Sequence, residues 1–170
     1  MQLKICTLPD PILRQKVAPV EQFDRQLWAV ADQMLQLMHE AEGVGLAANQ
    51  VGLNQQLFVY GIDEAFEIEG KKVLVVPDQV IVNPSLTILE PRSDVLEEGC
   101  LSIPGLRGPV SRALQVELRG QTLKGLSFTK ILNGYEARIV QHEVDHLNGI
   151  LFLDRITDPT KLRRLPADKE

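Results

Sequence analysis

The chain has 170 residues, 44% of them hydrophobic and 24% charged, which suits one compact domain with a buried core and argues against a disordered or fibrous protein. Its 23 acidic against 18 basic side chains leave a net charge of -5, so nothing draws it without specificity to phosphate backbones or anionic lipid. No apolar run approaches the length of a bilayer span, so neither nucleic acid nor membrane is an expected partner.

The first two dozen residues carry Pro9, Pro11 and Pro19 among polar side chains and predict an irregular arm laid over the domain. Over residues 24–42, Leu27, Ala31, Met34, Met38 and Ala41 recur at steps of four and three behind Asp24, a residue suited to an N-cap. Trp28, Val30, Leu35 and Leu37 widen that stripe, and the segment reads as an amphipathic helix. His39 falls beside Asp32, Gln36 and Glu40 on its polar side and reads as a solvated surface residue.

Gly43 and Gly45 end the pattern. Residues 57–62, 73–76, 80–82 and 86–89 then suit buried or half-buried strands, punctuated by Pro77, Pro84 and Pro91. LQVELR and LSFTKI alternate apolar with polar around Gly120 and Gly125, as a hairpin with one wet face does. Asn133 can cap a second helix over residues 134–148, and Gly149 is placed to end it. The inner face of that helix holds Tyr135, Ile139, His142, Glu143, His146 and Leu147 by spacing. An apolar return, ILFLD, comes next. The last ten or so residues, KLRRLPADKE, are charged enough to fray.

We read residues 1–170 as a single domain. The expected fold is α+β, with antiparallel or mixed sheets packed around a central metal-binding helix and one longer N-terminal amphipathic helix. The N-terminus has no sustained apolar stretch before its first prolines, and Cys6 and Cys100 are too few for a disulfide framework. The expected location is the cytoplasm, or the stroma or matrix of an organelle reached in processed form.

The chemistry is concentrated in QHEVDHLNG, residues 141–149. On a helix, His142 and His146 project from one face a turn apart and can converge on one metal ion, and Glu143 is close enough to reach a water beside it. The alternative is a polar stretch of an ordinary helix. Against it, Ile139 and Leu147 share the face, so the polar groups point inward, where unpaired charge is expensive. A catalytic site of this type needs a third protein ligand and one open position. After Gly149 the chain offers neither a third histidine nor a suitable glutamate, so the ligand has to lie upstream.

Cys100, in EEGCLSIPG, reads either as that third ligand or as a small buried hydrophobe; Cys6 reads as the latter. A further segment, GVGLAANQ (residues 43–50), combines glycines that permit close backbone approach with Gln50, whose amide can donate to an oxyanion.

GVGLAANQ, EGCLS and QHEVDHLNG, in this order, resemble the signature segments of the peptide deformylases, and PDPILR and SIPG resemble the family's bacterial and organellar branch. The three segments cover 22 of the 170 residues. The resemblance implies a hydrolase that removes the formyl group from the initiator methionine of new polypeptides. Cys100, His142 and His146 would hold one divalent metal, Fe(II) in the cell and zinc, nickel or cobalt possible in purified protein. A water in the open position would attack the formyl carbon, with Glu143 taking its proton and delivering it to the leaving amine. Gln50 and the backbone N–H of Leu101 would meet the oxyanion.

Val44, Gly45, Leu46 and Cys100 would form a floor that admits a formyl group and excludes larger acyl groups. Tyr135, Ile139, His142 and the aliphatic stem of Arg138 would line the methionine pocket, and the peptide would dock as a strand near Gly45 and Gly99. The expected partners are N-formylmethionyl nascent chains, with docking at the ribosome left open, and the expected state is a monomer. Asp145 either supports the ligands or is solvated. Glu98 pairs with Arg112 to brace the cysteine segment, or the two are unrelated surface charges. The competing enzyme reading is a small zinc peptidase built on the same helix. A metal-stabilised binding module, indifferent to Glu143, is the non-enzymatic alternative.

Overall fold

The computed structural model describes residues 2–166. Helix α1 spans Arg25–Glu40, and Asp24 caps it by accepting from the N–H groups of Gln26 and Leu27, each at 3.0 Å. The expected stripe is the buried one, with Leu27, Ala31, Met34 and Met38 almost fully inaccessible. Each of the longer of these side chains contributes roughly 1.5–3 kcal/mol by leaving water.

β1 (Gly45–Ala47) pairs with β2 (Leu57–Ile62), and β2 is buried along its whole length. Leu57 and Val59 face α1 and its core, whereas Phe58, Tyr60 and Ile62 face a second core on the opposite side. A strand covered on both faces has no polar alternation, which is why LFVYGI reads as a continuous apolar run. β3 (Phe66–Ile68) and β4 (Lys71–Val73) form a separate two-stranded hairpin. β5 (Val76–Cys100), β6 (Ile103–Gln121) and β7 (Ser127–Asn133) complete the main sheet in the order β1-β2-β5-β6-β7, and every pairing along it is antiparallel.

The prolines that break the pattern in the sequence do not end β5. Register shifts flank Pro84 and Pro91, between Val82 and Ser85 and between Glu90 and Ser93, and a bulge tolerates a residue that cannot donate to the ladder. The expected hairpin is present, with Gln121 opposite Ser127, but its first strand begins at Ile103 rather than near Leu114.

Helix α2 (Gly134–Leu147) packs against β1, β2, β5, β6 and β7, so it is central to the fold. Asn133 precedes it without a side-chain cap; its Oδ1 accepts instead from Gln115 Nε2 at 2.7 Å. Gly149, at φ +73°, turns the chain away in a left-handed conformation that glycine adopts without strain. The N-terminal arm lies on this frame as expected, through Cys6 N–H to the Gln50 carbonyl, Leu8 N–H to that of Ser102 and Val17 N–H to that of Leu147.

Two expectations are corrected at the periphery. The tail does not fray from Lys161: β8 (Arg163–Arg164) pairs with Leu106 and Arg107 of β6, and Arg163 meets Glu97. The acidic partner lies 66 positions upstream, out of reach of any local reading. Residues 167–170 lie outside the described residues. His39 is not simply solvated either. Its Nδ1 lies 2.9 Å from Asp63 and its Nε2 3.0 Å from Asp78, joining the end of α1 to both edges of the β3–β4 region.

The hydrogen bond to Asp78 raises the His39 pKa against the opposing effect of burial. A raised folded-state value means that this clamp contributes fully below the unfolded pKa and is lost as pH rises through the folded one. A His39 imidazole titration followed by NMR is expected to have its midpoint above about 6.5, and to fall toward that value in Asp78→Asn. Among the described residues, no helix is long and apolar enough to cross a membrane.

Candidate metal centre and active site

On α2, His142 and His146 stand one turn apart with ring centroids separated by 4.9 Å and Nε2 atoms by 3.2 Å. Cys100 ends β5, and its Sγ lies 3.3 Å from His146 Nε2. One donor atom from each of the three residues falls within 4.8 Å of the other two.

The cysteine reaches this point because β5 and β6 are joined by only Leu101 and Ser102, with Cys100 opposite Ile103. Ser102 is fully buried. Its carbonyl accepts from Leu8 N–H and its Oγ from Gln50 Nε2 at 3.1 Å, so the arm and the glycine segment both hold the turn. Gln50 sits in a 3-10 turn, Ala48–Val51, and its Oε1 accepts from Ala47 N–H at 2.8 Å. Its Nε2 also approaches Cys100 Sγ at 3.4 Å. The neighbouring Asn49 donates to the carbonyl of His146. Adjacent side chains of one segment thus grip the cysteine turn and the histidine helix.

Beneath the ligand cluster lies a buried ionic network. Glu98 Oε2 accepts from Arg112 Nη2 at 3.0 Å and faces His142 Nδ1 at 2.9 Å, while Oε1 accepts from Arg112 Nε and Arg138 Nη1. Arg112 Nη1 donates to Asp145 at 2.6 Å, and Arg155 holds the same carboxylate from the other side. Arg138 Nη2 donates to Asp94 at 2.7 Å. Three carboxylates oppose three guanidinium groups, and although Arg155 is exposed and Asp94 part-buried, this pairing is what lets Glu98, Arg112, Arg138 and Asp145 stay in the interior. Burial pushes Glu98 up, but the hydrogen bonds from His142 and Arg112 outweigh it and hold the carboxyl far below the usual range.

With its Nδ1 committed to Glu98, His142 directs Nε2 at the cluster. Burial opposes protonation of both imidazoles. Contacts with Cys100 and Glu98 nevertheless raise the pKa of His142, whereas that of His146, depressed further by His142, falls well below the normal value. The two Nε2 atoms and Sγ converge on one point, and one thiolate with two imidazoles is a donor set suited to zinc, iron, nickel or cobalt. The residues fit a metal.

A cavity of about 810 Å³ opens over the cluster. Val44, Gly45, Gly99, Tyr135 and Ile139 line it, together with Gln50, Cys100, Leu101, His142 and Glu143. Leu46 does not: it is fully buried in the α1 core beneath. Arg138 borders the cavity, while its guanidinium is a member of the buried network and the residue is only 3% exposed. Asp145 is likewise a buried partner of Arg112 rather than a solvated side chain.

Glu143 stands apart from the network. It is 4% exposed, its Oε2 has no hydrogen-bond partner, and burial pushes its pKa up to about 7. Gly45 faces it: a methyl group built on Gly45 would overlap Glu143 Oε1. Gly45→Ala is therefore expected to displace the carboxylate and to lower turnover by about 10²-fold, the scale set by an ångström of misplacement, without loss of metal. If the resemblance to deformylases holds, formate-release kinetics with metal analysis of the same sample checks this.

Sequence reading assigned nothing to Ser102 or Asn49, and missed the tie between Glu98 and His142. Their partners lie 44 to 97 residues away, so no local spacing signals them. It also missed Phe66, Ile68 and Leu165 at the rim of the cavity.

A family model described as polypeptide deformylase matches residues 2–162. A peptide deformylase of Rhodopirellula baltica is 46% identical over 157 residues, spanning 92% of this chain and 74% of that protein. The peptide deformylase of Synechococcus elongatus, solved in complex with actinonin, superposes with a TM-score of 0.82 at 38% identity, over 94% of this chain and 81% of that one. A Met-Ala-Ser-bound class I type b peptide deformylase from Acinetobacter baumannii gives 0.83 at 36% identity, over 92% and 99%. With agreement in sequence and in fold across nearly its whole described length, this chain belongs to the polypeptide deformylase family and is a hydrolase.

Proposed function

We propose that this chain acts as a single catalytic domain that removes the N-formyl group from the methionine of newly made polypeptides, with Cys100, His142 and His146 as metal ligands. The observation that carries the reading is the convergence of one sulfur and two imidazole nitrogens beside a buried, partnerless carboxylate oxygen. Membership of the family implies a single catalytic metal ion. When bound, such an ion lowers the pKa of a water and polarises a carbonyl oxygen. We take it to be Fe(II) in the cell, with zinc, nickel or cobalt in purified protein.

The protein's own groups do the rest. Glu143 accepts a proton on its free Oε2 and returns it to the leaving amine; a carboxyl shifted toward neutrality exchanges protons with little driving force wasted. Gln50 holds one amide hydrogen on Ser102 and the other on the longer contact to Cys100 Sγ. That weaker contact is the one it can exchange for an oxyanion, alongside the Leu101 N–H. Val44, Gly45 and Cys100 crowd the floor against acyl groups larger than formyl. Tyr135 and Ile139 offer an apolar wall to methionine. β1 is an edge strand whose Gly45 lines the cavity, so a peptide can add to it by main-chain hydrogen bonds that tolerate varied sequences. The Acinetobacter relative was solved with Met-Ala-Ser bound, which supports a short methionyl peptide as the ligand. We place the activity in the cytoplasm or an organelle interior, on nascent chains, by a monomer.

The test is formate release from N-formyl-Met-Ala-Ser by metal-loaded protein, with elemental analysis of the same sample. Formate without internal cleavage, stopped by chelation, is expected. Cleavage of unformylated Met-Ala-Ser would replace this reading with the peptidase one.

A further inference from the structure

Glu97 lies three residues before Cys100 on β5, so whatever is fastened to it is held at the mouth of the site. Two peripheral segments are. The Glu97 N–H donates to Glu69 Oε2 at 3.0 Å, at the tip of the β3–β4 hairpin. Its carboxylate takes Arg163 of β8 in a two-pronged pair, Nε at 2.6 Å and Nη2 at 2.7 Å. The tail is fixed again at Leu165, whose N–H donates to the Gly105 carbonyl at 2.7 Å. The hairpin has a second fastening too, from Lys71 to Asp94 at 2.5 Å.

Both segments present apolar side chains to the cavity. Phe66 and Ile68 line it from the hairpin, and Leu165 lines it from the tail. Phe66 also stands edge-on to Tyr135 with centroids 5.3 Å apart, which makes the hairpin continuous with the wall proposed for methionine. Val73 anchors the hairpin in the core, but Phe66 and Ile68 are only half-buried, Leu165 is 37% exposed, and the links to β5 and β6 are surface ion pairs and backbone hydrogen bonds that individually hold weakly. Apolar groups left half-exposed along a groove gain most when a ligand covers them.

We propose that these two straps, joined through Glu97, form opposite banks of the groove beyond the methionine pocket and favour peptides with apolar side chains at the second and third positions. The inference rests on the deformylase reading above. Methionine itself is bound short of the straps, so they act on the number and character of the substrate residues after it. The Glu97–Arg163 pair fixes where the tail sits against β5, and so sets its distance from the hairpin held by the same residue's backbone.

The experiment compares kcat/KM for N-formyl-Met-Leu-Leu with that for N-formyl-Met amide. In Arg163→Glu, and separately in a chain ending at Leu162, the ratio between the two substrates is expected to fall about 10-fold, through KM for the longer peptide. Combining Arg163→Glu with Glu97→Arg is expected to restore it, as a strap held by that pair requires. An unchanged ratio in both variants, or an equal fall for both substrates, would overturn the straps and leave the deformylase reading standing. Absence of formate from both substrates with the unaltered protein would overturn the reading and the inference together.

Discussion

Replacing Glu143 with alanine is expected to abolish measurable deformylation while leaving the metal in place. Proton transfer by a positioned side chain contributes about 10²–10⁴-fold to such reactions, and Glu98, the carboxylate that touches His142, is already paired with Arg112 and Arg138. Cys100, His142 and His146 keep their geometry in this variant, because none of them is hydrogen-bonded to Glu143. Stability should be unchanged or slightly raised, since the substitution removes a buried polar atom that has no partner. The signature is therefore threefold: turnover lost, metal retained, unfolding midpoint not lowered. Residual turnover near that of the unaltered protein would remove Glu143 from the mechanism and revive a non-catalytic reading of the metal centre.

Arg112→Ala carries the largest expected cost in stability. Arg112 is 5% exposed and bridges Glu98 to Asp145, so its removal leaves two buried carboxylates short of a cation. Breaking one partner of such an assembly costs about 3–5 kcal/mol, and because Arg138 and Arg155 still serve the two acids we expect the lower end, about 3 kcal/mol. Urea unfolding should show this as a lower midpoint at unchanged slope. Metal content should fall as well, because Glu98 aims the His142 ring. Arg112→Lys should recover little, as a single ammonium cannot reproduce donors directed at two acids. Unaltered stability and metal content would show that the network is incidental to the site.

The same network shows where local reading of the residues stops. Pairing of Glu98 with Arg112 was open to expectation, but its third participant, His142, was not, and neither was the burial of the Arg138 guanidinium. An acidic and a basic residue carry no mark of how deeply the fold will bury them. That depth depends on β5, β6 and α2 closing over one another.

β5 makes a similar point from the backbone. Its prolines argued for several short strands, and only the partner strand reveals that their missing donors fall at bulges. The tail was misjudged for the opposite reason: its charge suggested solvent, and Glu97 lies far from it in sequence.

What the residues determined alone were the features carried by short repeats. The 3.6-residue period wrote α1, its Asp24 cap and the buried stripe. The same period put His142 and His146 on one side of α2 with Glu143 beside them, and the αL-tolerant Gly149 at its end. These are settled within a turn or two of chain, where neighbours in sequence are neighbours in space. The meeting of Cys100 with the two imidazoles, the grip of Asn49 and Gln50 on both, the paired charges beneath and the hairpin and tail side chains that line the cavity belong to the tertiary structure. Each depends on a contact between segments tens of residues apart, and such contacts exist only once burial of the two cores on either side of β2 has brought those segments together.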